Sequence, residues 1–208
     1  MSSTSQPVAV YEGNPCPFLR ALVAQGKVPD DKVPLSEIAR VIVDVASKGE
    51  GHPKVPGAAI QGVALIANGL NPLQLGRNAL GGVRLNELRS GPLNKHGSGS
   101  GILDENANID AAQLARLDDF ASDKLDADGN TERGLNLAEI TRMMDANFDR
   151  SIGRRRAIDR KLMDQEWPVL LKIIGKQGKT ERYLSLKDVA HLFVERRFPA
   201  RMSILSRS

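Results

Sequence analysis

The chain has 208 residues, 41% of them hydrophobic and 4% aromatic, which is enough to bury a substantial core as one domain. Its net charge of +4 comes from clusters such as Arg154-Arg155-Arg156 and Arg196-Arg197, which read as solvated helix faces, so neither nucleic acid nor a membrane is an expected partner. A single cysteine excludes an internal disulfide, the N-terminus has no secretory pattern, and residues 58–70 are too short and glycine-interrupted to span a bilayer, so the expectation is an intracellular location, or else a mature form whose signal was removed.

In chain order, residues 1–13 read as a loose arm. A helix over 17–25 follows, opened by Pro17, whose missing N–H is harmless at a first helical position, and closed by Gly26. Ile38, Val41, Ile42 and Val45 mark an amphipathic helix that begins near Pro34 or Ser36. Residues 49–57 are a Gly/Pro loop, 58–68 a small apolar buried helix, and 72–80 a short helix opened by Asn71-Pro72. Residues 85–89 add a turn, and 97–101 form a flexible Gly/Ser link. Leu114, Leu117 and Phe120 predict a helix over 110–122, followed by a polar loop over 123–134. Helices are then expected over 135–148, 150–163, 166–174 and 185–197, the last with Ser185 as N-cap and Asp188 at the third position. Strand signals are weak throughout, so the expected fold class is all-α, a single multi-helix domain over 1–208.

Several residue sets carry potential chemistry. Cys16 stands at the predicted helix start, where free N–H groups and the helix dipole lower a thiol's pKa and favour the metal-binding thiolate. The bland alternative is a small buried hydrophobe. Asp126-Ala127-Asp128-Gly129-Asn130 begins like a calcium loop, but Thr131 and Leu137 stand where Gly and a bidentate Glu are needed, which favours a solvated turn between helices. His52, His96 and His191 are too scattered for a zinc site.

The string from Asn14-Pro15-Cys16-Pro17-Phe18-Leu19-Arg20-Ala21-Leu22 to Gly26 and Pro29 resembles the opening of the haem-thiolate peroxidase family, the chloroperoxidases and unspecific peroxygenases. Asp164-Gln165-Glu166-Trp167-Pro168-Val169-Leu170-Leu171-Lys172-Ile173-Ile174-Gly175 resembles that family's helix with the distal glutamate, and the stretch from Leu184 to Pro199 resembles its close. The resemblance covers about a third of the chain and implies a chloroperoxidase-like helical fold binding haem b. Cys16, flanked by Pro15 and Pro17, would be the axial iron ligand, and Glu166 the distal acid–base acting on hydrogen peroxide beside a small organic substrate. Arg160 is a candidate charge partner for Glu166. The family's Glu-His-Asp or Glu-Gly-Asp magnesium triplet is absent after Leu93-Asn94-Lys95-His96-Gly97, where Asp104 and Glu105 are the available substitutes for a magnesium site. Two other classes stay open: a haem-free helical binding module, and a calcium-binding interaction protein built on residues 126–130.

Overall fold

The structure, a computed structural model, describes residues 9–95, 97–153 and 156–202. Residues 1–8 of the expected arm, His96, Arg154 and Arg155 lie outside the described residues. The first helix, α1 (Pro17–Ala24), starts at Pro17 and ends before Gly26, whose φ of +64° turns the chain. A two-residue strand β1 (Lys32–Val33) leads into α2 (Leu35–Ser47), which buries Ile38, Val41 and Val45 as the periodicity predicts. Helices α3 (Gly57–Ile66) and α4 (Pro72–Gly81) follow, the second capped by Asn71, whose Oδ1 accepts from the Gln74 N–H at 2.8 Å. Far from being buried, α3 inserts only Ala64 into the core, and Leu73 and Leu80 of α4 are exposed. Strand β2 (Val83–Arg84) pairs antiparallel with β1 and runs into a 3₁₀ segment, Leu85–Ser90.

The second half departs from the all-α expectation. Among the described residues helix covers 50% and strand 11%, in antiparallel sheets of two and four strands, so the fold is mixed rather than all-helical. The predicted helix over 110–122 stops early, as α5 (Ala111–Ala115) and a 3₁₀ turn, Arg116–Asp119. The expected polar loop is a hairpin of β3 (Ser122–Leu125) and β4 (Thr131–Leu135). After α6 (Leu137–Arg150), the two helices expected over 150–163 and 166–174 are one, α7 (Ala157–Ile174), with Pro168 inside it. Pro168 has no N–H to give the carbonyl of Asp164, yet the helix continues through it. Strands β5 (Lys176–Gln177) and β6 (Arg182–Ser185) complete the sheet in the order β3-β4-β6-β5, and α8 (Leu186–Phe193) closes the set. Ser185 holds the position before α8 without capping it, because its hydroxyl donates to Glu132 at 2.8 Å instead.

The strands escape sequence reading because polar groups hold them together. Lys124, 6% exposed, gives its ammonium to Glu139 at 2.9 Å and Glu181 at 2.7 Å. Glu132 accepts from the Tyr183 hydroxyl at 2.6 Å and from Lys176. Burial raises the Glu132 carboxyl's pKa, but the bonds from Lys176, Tyr183 and Ser185 outweigh it and hold the group below its ordinary range. Such rungs leave no apolar alternation to detect.

One core joins the elements: Leu22 of α1, Ile38 of α2, Met143 of α6, Ile174 of α7 and Leu192 of α8 belong to the same buried cluster. Among the described residues no helix is long and apolar enough to cross a membrane.

Two turns repeat one design. In both 104–108 and 126–130 an Asp N–H bonds the carbonyl of an Asn four residues on, at 3.0 and 2.9 Å. The same Asp carboxylate takes that Asn's N–H, at 2.8 Å in each. The fourth position has positive φ, +60° at Ala107 and +91° at Gly129. The calcium-like motif is thus the tip of a hairpin, not a link between helices.

Two substitutions check this description by urea unfolding. Ala107→Gly relieves a left-handed alanine and is expected to stabilise by up to about 1 kcal/mol. Gly134→Ala would place a Cβ 2.5 Å from Tyr183 Cδ2 and 3.0 Å from the Leu184 carbonyl. It is expected to destabilise by roughly 1–3 kcal/mol.

Candidate functional site

Cys16 occupies the N-cap of α1 with extended backbone, as expected. The loop before it is fixed by its own polar groups. Asn14, fully buried, accepts from the Cys16 N–H at 3.1 Å. Arg20, one turn into α1, returns its Nη1 to the carbonyls of Tyr11 and Asn14 at 3.1 and 3.2 Å. A Cβ on Gly13 would overlap the Asn86 carbonyl at 1.8 Å, so only glycine lets this loop lie on the 3₁₀ segment.

The sulfur faces the first turn of α1, where the N–H groups of Leu19 and Phe18 favour its charged form. They do not prevail. Desolvation by burial, then the Glu166 carboxylate, push the thiol up to about 11, with Lys95 a smaller opposing influence. The expected thiolate is therefore corrected: with no cation against it, Cys16 is a neutral thiol. The dipole argument failed because the protein that presents the helix end also strips water from the sulfur.

Glu166 is thus near enough for its charge to be felt at the sulfur. Glu166 lies midway along α7, half-exposed, and its carboxylate is paired with Lys95 at 2.5 Å. Lys95 stands on the loop between the 3₁₀ segment and α5, and this loop is held firmly. Arg156 donates to the carbonyls of Pro92 and Asn94 at 3.2 and 2.6 Å. Its other bonds go to Asp159, which is completely buried at the start of α7. Ser98 bonds the Lys95 carbonyl and Ser151 the Gly97 carbonyl, both at 2.6 Å.

Compared with protein families, with characterised proteins and with solved structures, the chain has no match.

The remaining expected site residues are elsewhere or otherwise engaged. Arg160 reaches Asp145 of α6 and Asp164, at 3.0 Å for the latter, and Lys95 rather than Arg160 is the partner of Glu166. Asp104 is consumed by its turn: bonds from Asn108 and Asn106 hold its carboxylate below the ordinary range. Glu105, beside it, is exposed. Among the described residues no group of three or more His, Cys, Asp or Glu stands together as a metal cage. Two open clefts, of about 500 and 330 Å³, are lined by neither Cys16 nor Glu166.

Lys95, Arg156, Asp159 and Arg20 are the site residues that sequence reasoning missed. The one signal for the pair at the start of α7 was an Arg-x-x-Asp spacing, which departs from the usual Ser/Thr-x-x-Glu capping box.

The raised thiol gives a pH test. In the protein free of metal, iodoacetamide at pH 8 should alkylate Cys16 about a hundredfold more slowly than in the urea-unfolded chain, from the shift between 9.0 and about 11. Because the folded value lies above the unfolded one, this group's contribution to stability is complete below pH 9 and is lost as pH rises towards 11. Cys16→Ala should flatten that part of the unfolding profile.

Proposed function

We propose that the chain is a haem-thiolate peroxidase or peroxygenase, with Cys16 as the axial sulfur ligand and Glu166 as the acid–base that handles hydrogen peroxide beside a small organic substrate. One observation carries the reading. Two residues from opposite ends of the sequence, each named by resemblance to that family, come within electrostatic reach of each other at the N-terminus of α1.

The donor chemistry fits the group. A single thiol with two backbone N–H groups beside it is what an iron-bound sulfur needs from its protein, and a metal cation against the sulfur displaces its proton despite burial. Haem, when bound, supplies iron whose thiolate ligand favours heterolytic O–O cleavage. The chain's own residues do the rest. Asn14 and Arg20 hold the cysteine loop in register. Glu166 would take the proton from one peroxide oxygen and return it to the other, so that the O–O bond breaks, the second oxygen leaves as water and the first passes to the organic substrate, which is oxidised by two electrons; such proton transfer is worth typically ~10²–10⁴-fold. Lys95 occupies one of the two carboxylate oxygens, Oε1. Magnesium is no part of the proposal, because Asp104 is committed to its turn.

A second reading, a binding module with the same architecture and no haem, has the Lys95–Glu166 pair in its favour, because that pair satisfies the carboxylate without any ligand.

The test is an absorption spectrum of protein produced with haem supplied, then reduced under carbon monoxide. A strongly red-shifted carbonyl band, lost in Cys16→Ala, is the expected result, with Glu166→Gln lowering peroxide turnover roughly 10²–10⁴-fold at unchanged haem content. A colourless protein that takes up no haem defeats the reading and leaves the binding module.

A further inference from the structure

The cleft of about 330 Å³ is lined among others by Tyr11, Glu12, Arg20, Asn106, Asn108 and Arg196. Arg20 is its unusual member. It is 2% exposed, and an arginine so buried is ordinarily satisfied in full. Here two of its five N–H groups are engaged, by the carbonyls of Tyr11 and Asn14, and Nε has no partner at all. Burial and the neighbouring Arg196 push its pKa down to about 10, with Asp30 opposing. Asp30 does not complete it: one carboxylate oxygen takes the Tyr11 N–H and the other is also unpartnered.

Arg196 reaches this cleft at a conformational cost. It follows α8 with a φ of +54°, the left-handed position where a helix end usually carries glycine. The turn itself is closed by backbone bonds from Glu195 and Arg197 to the His191 carbonyl at 3.1 Å each, which any residue supplies. An arginine is not needed for the turn. Its side chain lines the cleft.

We propose that this cleft is a binding site for a small monocarboxylate, held between the guanidinium groups of Arg20 and Arg196 and bordered by the amides of Asn106 and Asn108. The planar fork of a guanidinium matches the two oxygens of a carboxylate, and Arg20 and Arg196 both line the cleft. The charge of the cleft selects one negative charge over two. Glu12 lines it and Asp30 stands close by, so a dianion such as phosphate meets both as repulsion. The volume leaves room for an organic body beside the carboxylate. Arg20 is shared with the cysteine loop, but neither haem, Cys16 nor Glu166 lines this cleft.

The experiment is a fluorine NMR titration of the full, haem-free chain with 4-fluorobenzoate at fixed ionic strength, repeated with inorganic phosphate as competitor. Saturable binding is expected, weakened at least tenfold in Arg196→Gly. Glycine suits the φ at this position, so that variant should match or exceed the parent's melting temperature, which separates loss of binding from loss of fold. Absence of saturation overturns the proposal, as does unchanged affinity in Arg196→Gly. Displacement by phosphate at or below the concentration of the carboxylate also overturns it.

Discussion

A carboxylate with no contact to solvent, Asp159, anchors the arrangement around the cysteine. Buried charge is tolerable only when paired and hydrogen-bonded, and Arg156 meets both demands. The same guanidinium reaches across to the carbonyls of Pro92 and Asn94, so the start of α7 and the loop that carries Lys95 move as one body. Were either partner removed, the other charge would be stranded and the loop released together. The position of Lys95 against Glu166, and through it the electrostatics of Cys16, thus depends on a pair that touches neither.

The first half was largely legible because its helices carry their apolar residues at one spacing. Ile38, Val41 and Val45 bury as a stripe does, and Pro17, Asn71 and Gly26 punctuate where their backbone chemistry requires. The second half was not. Its four-stranded sheet pairs Lys124 with Glu139 and Glu181, and Glu132 with Tyr183 and Ser185. Charged residues that face each other inside a fold look, in sequence, like a solvated loop. Leu114, Leu117 and Phe120 misled in the opposite direction, since helical spacing over a few residues is also satisfied by a short helix that ends in a 3₁₀ turn.

At the site, the location of Cys16 was readable from Pro17, but its protonation was not. Local rules describe the helix terminus; the removal of water from the sulfur is the work of residues distant in sequence. The proximity of Glu166 was suggested by resemblance alone, and Lys95 carried no signal of its own. Asp104 and Asp126 show the complementary error. Each resembles a cation ligand in composition, and each is occupied in closing a turn of identical geometry. An aspartate followed by small and amide residues satisfies its own backbone before it is available to a metal.

Helix α1 docks against α8, with Phe18 set edge-on to Phe198 at 4.9 Å between ring centres. These are among the first and last parts of the described chain to leave the ribosome. The 3₁₀ segment offers the cysteine loop part of its native surface early, but the part supplied by α8 comes only much later along the chain. Contacts so distant in sequence form late and slow the folding of the whole. Until α8 docks, the helix that Cys16 caps lacks one of its packing partners. The burial of that helix is complete only when the chain closes on itself.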